Sequence, residues 1–157
     1  MSDNAAALAD HLQCVTFTLA EETYAIDVMQ VQEVLRVTEI APVPGAPDYV
    51  LGIINLRGNV VAVIDARSRF GLPPHEMDDM TRIVIIEAND NVIGILVDSV
   101  AEVVELDKSE IEPAPAVGND ETARYIKGVA NHEGTLIILV DLNNLLSEEE
   151  WQDVANL

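Results

Sequence analysis

The sequence states one pattern twice. Tyr49 to Asp65 and Tyr125 to Asp141 both read Y-x-x-G-x-x-N-x-x-G-x-x-x-x-x-x-D, at a constant offset of 76 positions. A tandem duplication constrains the fold more than composition does, because one architecture must suit both copies and the copies must find each other. It also supplies an internal control. What recurs serves the shared fold, and a position that differs is a candidate for function. At the centre of the unit the first copy reads Asn55-Leu56-Arg57-Gly58 and the second Asn131-His132-Glu133-Gly134, which exchanges a cation for an anion.

A chain of 157 residues, 49% of them hydrophobic, suffices for one domain or for two small lobes that depend on each other; the duplication favours lobes. Apolar runs such as Val60 to Ile64 fall far short of the roughly 18 residues that span a bilayer and suit strands instead. Met1 to His11 carries Asp3 and Asp10 but no Lys or Arg, so a secretory signal is not expected and a cytoplasmic location is. The single cysteine, Cys14, sits in Cys14-Val15-Thr16-Phe17 and reads as a small buried hydrophobe in a reducing compartment. A formal charge of −20 with only eight Lys and Arg argues against nucleic acid and anionic membranes, whose recognition draws on clustered cations. The acidity mainly confers solubility. The few positive charges are therefore the informative ones.

Residues 1–12 are Ala-rich and unpatterned and read as a flexible tail, with the fold starting near Gln13. Cys14 to Leu19 and Thr23 to Ile26 form a first hairpin. Asp27 with Gln30 resembles a capping box, and Val28, Val31 and Leu35 share a helical face, which predicts a short helix ending near Leu35. Prolines at 42, 44 and 47 bound an extended edge segment over Val37 to Val43. Val50 to Leu56 and Val60 to Ile64 flank a tight turn at Arg57-Gly58-Asn59. Asp65 caps a short turn through Phe70, and His75 to Met80 joins the repeats. The second unit brings strands at Arg82 to Glu87, Val92 to Val97, Val100 to Leu106, Ile126 to Asn131 and Thr135 to Val140. Val31-Gln32-Glu33-Val34 is echoed by Val100-Ala101-Glu102-Val103, and Glu39-Ile40-Ala41-Pro42-Val43-Pro44 by Glu110-Ile111-Glu112-Pro113-Ala114-Pro115. Ser147-Glu148-Glu149-Glu150 is a capping box for a final helix docked by Trp151 and Val154.

The expected fold is mainly β: two five-stranded barrel lobes sharing an apolar interface, with short helices and a C-terminal helix. Short strands in so apolar a chain leave edges open unless each sheet closes. Residues 13–157 form one domain, with lobe 1 over about 13–80, lobe 2 over about 81–146 and the helix over about 147–156, exchange of strands between lobes remaining open. No further domain is expected after the helix.

Catalysis finds little support. His11, His75 and His132 fall in a tail, a linker and a turn, and neither a metal-ligand spacing, a nucleophile elbow nor a P-loop is present. No cofactor and no metal are expected. Asp65 and Asp141 read as helix caps, Gly52, Gly58, Gly128 and Gly134 as turn or close-approach glycines, Asn55 and Asn131 as turn supports, and Tyr49 and Tyr125 as packing anchors. Repetition accounts for all of these but not for Arg57, whose planar five-donor fork at a hairpin tip suits a carboxylate on another chain.

The run Thr23 to Val34 (T-Y-A-I-D-V-M-Q-V-Q-E-V), then Pro42-Val43-Pro44, Gly52 to Gly58 (G-I-I-N-L-R-G) and Ile137-Ile138-Leu139-Val140-Asp141, resembles the CheW family of bacterial chemotaxis coupling proteins. The likeness runs from about residue 14 to 150. It implies SH3-like β-barrels with a third apolar core between them, and a non-catalytic adaptor that joins the cytoplasmic tips of chemoreceptors (methyl-accepting chemotaxis proteins) to the regulatory domain of a CheA-type histidine kinase. The location implied is cytoplasmic, with recruitment to membrane-associated receptor arrays and no insertion into the membrane. The receptor-binding residues it implies are Arg57, Glu33 and Val31, with Leu56 and Asn55 beside them; the kinase-binding residues stay unassigned. Other copies of the chain are a further candidate partner. Val31 belongs to an apolar stripe as well, and both roles hold where its segment lines the groove between lobes. Two alternatives stay open: an adaptor of a different chemosensory pathway such as twitching motility, and a small-molecule-binding barrel.

Overall fold

Four two-residue turns set the local geometry. Ala20-Glu21, Arg57-Gly58, Asn89-Asp90 and Glu133-Gly134 all carry positive φ at both positions, the conformation whose twist matches that of the strands it joins. In the computed structural model, which describes residues 11–113 and 125–157, these turns close hairpins β1 (His11–Leu19) with β2 (Glu22–Asp27), β4 (Val50–Leu56) with β5 (Asn59–Asp65), β6 (Arg82–Ala88) with β7 (Asn91–Val97), and β9 (Ile126–His132) with β10 (Thr135–Val140). β3 (Val31–Arg36) and β8 (Ser99–Asp107) complete the strands; α1 (Ala66–Arg69) and α2 (Glu148–Ala155) are the helices. Among the described residues no helix is long and apolar enough to cross a membrane.

The strands form two five-stranded sheets, ordered β8-β1-β2-β10-β9 and β3-β6-β7-β5-β4. Each sheet contains one parallel pair, β2 with β10 in the first and β5 with β7 in the second. The sheets do not follow the lobe boundary expected at residues 80 and 81. Each takes a hairpin from one repeat and three strands from the other, a reciprocal exchange. The expected five-stranded units are present, but each mixes the two halves of the sequence. Closure comes from the echoed Pro-containing segments: Ala41 bridges to Ile53 and Glu112 to Val129, joining the open edges of each sheet. Gly52 and Gly128 make this possible, because a Cβ there would lie 2.2 Å from the Ala41 carbonyl oxygen and 2.6 Å from that of Glu112. Pro115, at the end of the second segment, lies outside the described residues.

Three apolar clusters result. One fills the first barrel around Cys14, Ala25, Leu106 and Leu139, and another the second around Ile54, Val63, Ile83 and Ile85. The largest lies between them, where Phe17, Tyr24 and Ile26 of the first sheet meet Ile64, Ile86 and Ile95 of the second, with Leu142, Leu145 and Trp151 sealing it. Phe17, Tyr24, Phe70 and Tyr125 run through it as a chain of ring contacts 4.6–5.7 Å apart. The expected shared interface is therefore a core in its own right.

Two expectations differ. The helix over Asp27 to Leu35 is replaced by a single 3₁₀ turn, Val28–Gln30, capped by the Asp27 side chain, and then by β3. Burial along β3 alternates with period two, and the strand pairs with β6, whose Ile83, Ile85 and Ile86 are fully buried. A β-branched segment next to so apolar a strand gains more from the ladder than from one helical turn. The fold also starts two residues before Gln13, since His11 and Leu12 pair with Asp107 and Leu106; residues 1–10 of the expected tail lie outside the described set.

Candidate functional site

The repeated residues behave as structural parts. Asp65 and Asp141 accept hydrogen bonds from the Arg67 and Asn143 amides at 3.1 and 3.0 Å. Asn55 Oδ1 accepts from the Gly58 amide at 2.9 Å and Asn131 Oδ1 from that of Gly134 at 3.2 Å. The Tyr49 and Tyr125 carbonyls receive the Asp65 and Asp141 amides. The side chains differ: Tyr125 donates its hydroxyl to the Arg69 carbonyl at 3.3 Å, whereas the buried Tyr49 hydroxyl finds no hydrogen-bond partner, and the Arg69 guanidinium sits over the Tyr49 ring, 5.1 Å from its centre. Burial pushes the Tyr49 phenol up to about 12.

Arg57 occupies the first position of the β4–β5 turn, a non-glycine residue at φ 51° supported by Gly58 at φ 86°. Its guanidinium reaches across to β3 and donates both terminal nitrogens to the Glu33 carboxylate, Nη1 to Oε1 at 3.2 Å and Nη2 to Oε2. The hydrogen bond from Arg57 holds the Glu33 carboxyl below its ordinary value. The fork expected to meet another chain is thus partly engaged at home, in a bidentate pair. Arg57 keeps 69% of its side chain exposed, against 26% for Glu33, and an arginine with five N–H donors retains several for a second acceptor.

The other candidates gather around this pair with unequal freedom. Val31 is half-buried and packs against the core between barrels, on a strand where a helix was expected. Leu56 packs its side chain on the core of the second barrel. Asn55 is exposed, with its oxygen committed to the turn. The equivalent positions in the other barrel make the contrast plain: Glu33 corresponds to Glu102 in the V-x-E-V echo and Arg57 to Glu133, so two anions stand where the first unit has an ion pair. The second turn has only a loose His132–Glu133 approach of 3.9 Å. Sequence reading did not couple Arg57 to Glu33, because a helix over residues 27–35 hid the strand that carries Glu33.

Two other ion pairs hold the assembly together. Arg67 donates Nε to Asp98 Oδ1 at 2.8 Å and Nη2 to Oδ2 at 2.5 Å, and Asp98 also accepts from the Ala20 amide at 2.9 Å. That carboxylate ties the β1–β2 turn of one barrel to α1 beside the other. Arg69 grips Glu150 of α2 at 2.9 and 2.7 Å and the Leu145 carbonyl at 2.9 Å, while Glu150 completes the Ser147 capping box. Among the described residues no group of three or more His, Cys, Asp or Glu could hold a metal ion.

Comparison with known proteins agrees with the fold. The family model described as CheW-like domain matches residues 13–150. A chemotaxis protein CheW of Treponema pallidum is 35% identical over 152 residues, covering 94% of this chain and 89% of that protein. One from Bacillus subtilis is 38% identical over 141 residues, covering 90% of each. The crystal structure of scaffolding protein TtCheW from Thermoanaerobacter tengcongensis superposes with a TM-score of 0.81 at 36% identity, covering 88% of this chain and 94% of that one.

Proposed function

The chain belongs to the CheW family, and from that premise we propose that it is a non-catalytic adaptor joining the cytoplasmic tips of transmembrane chemoreceptors to a CheA-type histidine kinase. It works in the cytoplasm and is recruited to membrane-associated receptor arrays. The observation that carries the receptor assignment is the Arg57–Glu33 pair, present at one barrel and replaced by two glutamates at the equivalent place in the other. A duplicated fold needs no such difference for stability, and an exposed ion pair contributes little to it. Arg57, Glu33 and Val31 form the receptor-facing site, with Leu56 and Asn55 shaping the turn beneath Arg57. The kinase engages outer barrel faces, where Val60 and Leu136, 63% and 51% exposed, hold equivalent repeat positions.

Reconstitution tests the reading. Receptor-bearing vesicles from the source organism are mixed with its CheA-type kinase, with and without this protein. The adaptor role predicts that kinase sediments with the vesicles only when the protein is present, and that receptor ligands then control autophosphorylation. Kinase recruitment independent of the protein contradicts it. Affinity purification from the same organism identifies which chemosensory pathway supplies the partners.

A further inference from the structure

The repeat offset of 76 equates Tyr49 with Tyr125 and Arg69 with Leu145. The two places match in detail: Asp65 caps the turn that ends at Arg69, Asp141 caps the turn that runs into Leu145, and each Asp donates its amide to the carbonyl of its tyrosine. The hydroxyls break the symmetry. Tyr125 donates to the Arg69 carbonyl at 3.3 Å. Tyr49 does not make the equivalent bond to the Leu145 carbonyl, and among the described residues its buried hydroxyl has no hydrogen-bond partner. The Leu145 carbonyl instead accepts Arg69 Nε at 2.9 Å, and the same guanidinium covers the Tyr49 ring. Glu150 of α2 holds Arg69 in that position by taking both terminal nitrogens, at 2.9 and 2.7 Å.

We propose that α2 is a latch with two settings: docked, with Arg69 bridging Glu150 and the Leu145 carbonyl, and released, with the Tyr49 hydroxyl donating to the carbonyl that Arg69 has given up. Docking is favoured by the burial of Trp151 and Val154 and by the bond from Trp151 Nε1 to the Asn143 carbonyl at 3.2 Å. Against it stands the Tyr49 hydroxyl, because a buried donor left unpaired carries its desolvation penalty in full. Release recovers that penalty. A helix of eight residues is too short to persist alone, so α2 unwinds when it leaves, which adds chain entropy to the released side. The seat of the helix gives the device its consequence. Val154 and Leu157 line a groove of about 230 Å³ on the outside of the second barrel with Val60, Ala62 and Val92. Val60 and Val92 are already exposed, so withdrawal of α2 widens an apolar surface that is partly open when the latch is shut.

Trp151 is the single tryptophan of the chain, so its access to a soluble fluorescence quencher reports docking, and hydrogen exchange of the α2 amides measures how often the helix is released. The full chain is compared with Tyr49→Phe, Arg69→Gln, the double variant and Glu150→Gln, with urea unfolding of each. Tyr49→Phe removes a hydroxyl that is unpaired only in the docked state. It should therefore raise global stability and make release of α2 about tenfold rarer. Without Arg69 the Leu145 carbonyl is free in both settings, so Tyr49→Phe added to Arg69→Gln should lower global stability and leave the frequency of release unchanged. Glu150→Gln, which loosens the clamp, should raise release and quenching together. This change of sign separates the latch from a purely structural contact, which would give Tyr49→Phe the same effect in both backgrounds. Loss of stability from Tyr49→Phe in the otherwise native chain, as a hydroxyl bonded to water would give, overturns the inference. So does an effect on release that is equal with and without Arg69, or release unaltered in Glu150→Gln. Should Arg69→Gln fail to fold, Tyr49→Phe alone decides by the sign of its effect.

Discussion

At the scale of single residues, the second half of each repeat unit separates two uses of glycine. Gly58 has φ 86° and open space around its Cα, whereas Gly52 sits against the Ala41 carbonyl that closes the barrel. Gly58→Ala is expected to cost about 1 kcal/mol in left-handed strain, and Gly52→Ala about 1–3 kcal/mol through displacement of the closing bridge, an order that urea unfolding checks. Cys14 is fully buried, and burial pushes its thiol up to about 11. It should resist thiol reagents in the native protein and react on unfolding. At Asp98, burial works to raise the carboxyl, but hydrogen bonds from Arg67 and the Ala20 amide, with the Arg67 charge, outweigh it and hold the group below its ordinary value. A depressed folded-state pKa contributes stability that is complete above the unfolded value of about 3.9 and is lost as pH falls through the lower folded value. Asp98→Asn should therefore lose about 1–2 kcal/mol at neutral pH, and its gap from the wild type should narrow as pH falls below about 4. A gap that is constant with pH in chemical denaturation refutes the assignment of that carboxylate.

At the scale of elements, the final helix was legible because its signals are local: Ser147 with Glu150 forms the capping box, and Trp151 and Val154 are buried where the spacing puts them. Trp151→Ala removes a side chain that is 3% exposed and donates to the Asn143 carbonyl at 3.2 Å. The expected loss is about 3–5 kcal/mol, read as a lowered midpoint in thermal unfolding. Hairpins were legible for the same reason, since turn chemistry and period-two patterns sit within a few residues. β3 was not. Val28, Val31 and Leu35 satisfy a helical period, and the fact that decides against it, pairing with β6 some fifty residues later, is not local. The duplication did carry a correcting signal, because the echo of Val31 to Val34 at Val100 to Val103 reads as a strand and two copies share a conformation. The same misreading separated Glu33 from Arg57. Of the candidate site, Arg57 was legible from the charge inversion between repeats and Glu33 from the family resemblance, while the pairing of the two depended on strand register.

At the scale of the whole molecule, reciprocal exchange makes the two repeats inseparable. Each barrel needs a hairpin from one half of the sequence and three strands from the other, and the largest core draws on both sheets. Residues 1–80 and 81–157 expressed apart should each be unfolded, and should recover the strand signature in circular dichroism when mixed; a folded isolated half contradicts the exchanged topology. The exchange also fixes where recognition can differ between the barrels. With the cores and turns committed to the fold, asymmetry is left to exposed side chains, and the Arg57–Glu33 pair is the clearest of them. The central claim is that this pair reads a receptor instead of merely supporting a turn, and calorimetric binding of a receptor tip fragment to Arg57→Glu and to the swapped double variant Glu33→Arg/Arg57→Glu tests it most directly. The swap retains an internal ion pair but reverses the charge offered outward, so both variants should fold, with melting temperatures within about 4 °C of the wild type, and both should bind about tenfold or more weakly. Wild-type affinity in the two folded variants contradicts the account.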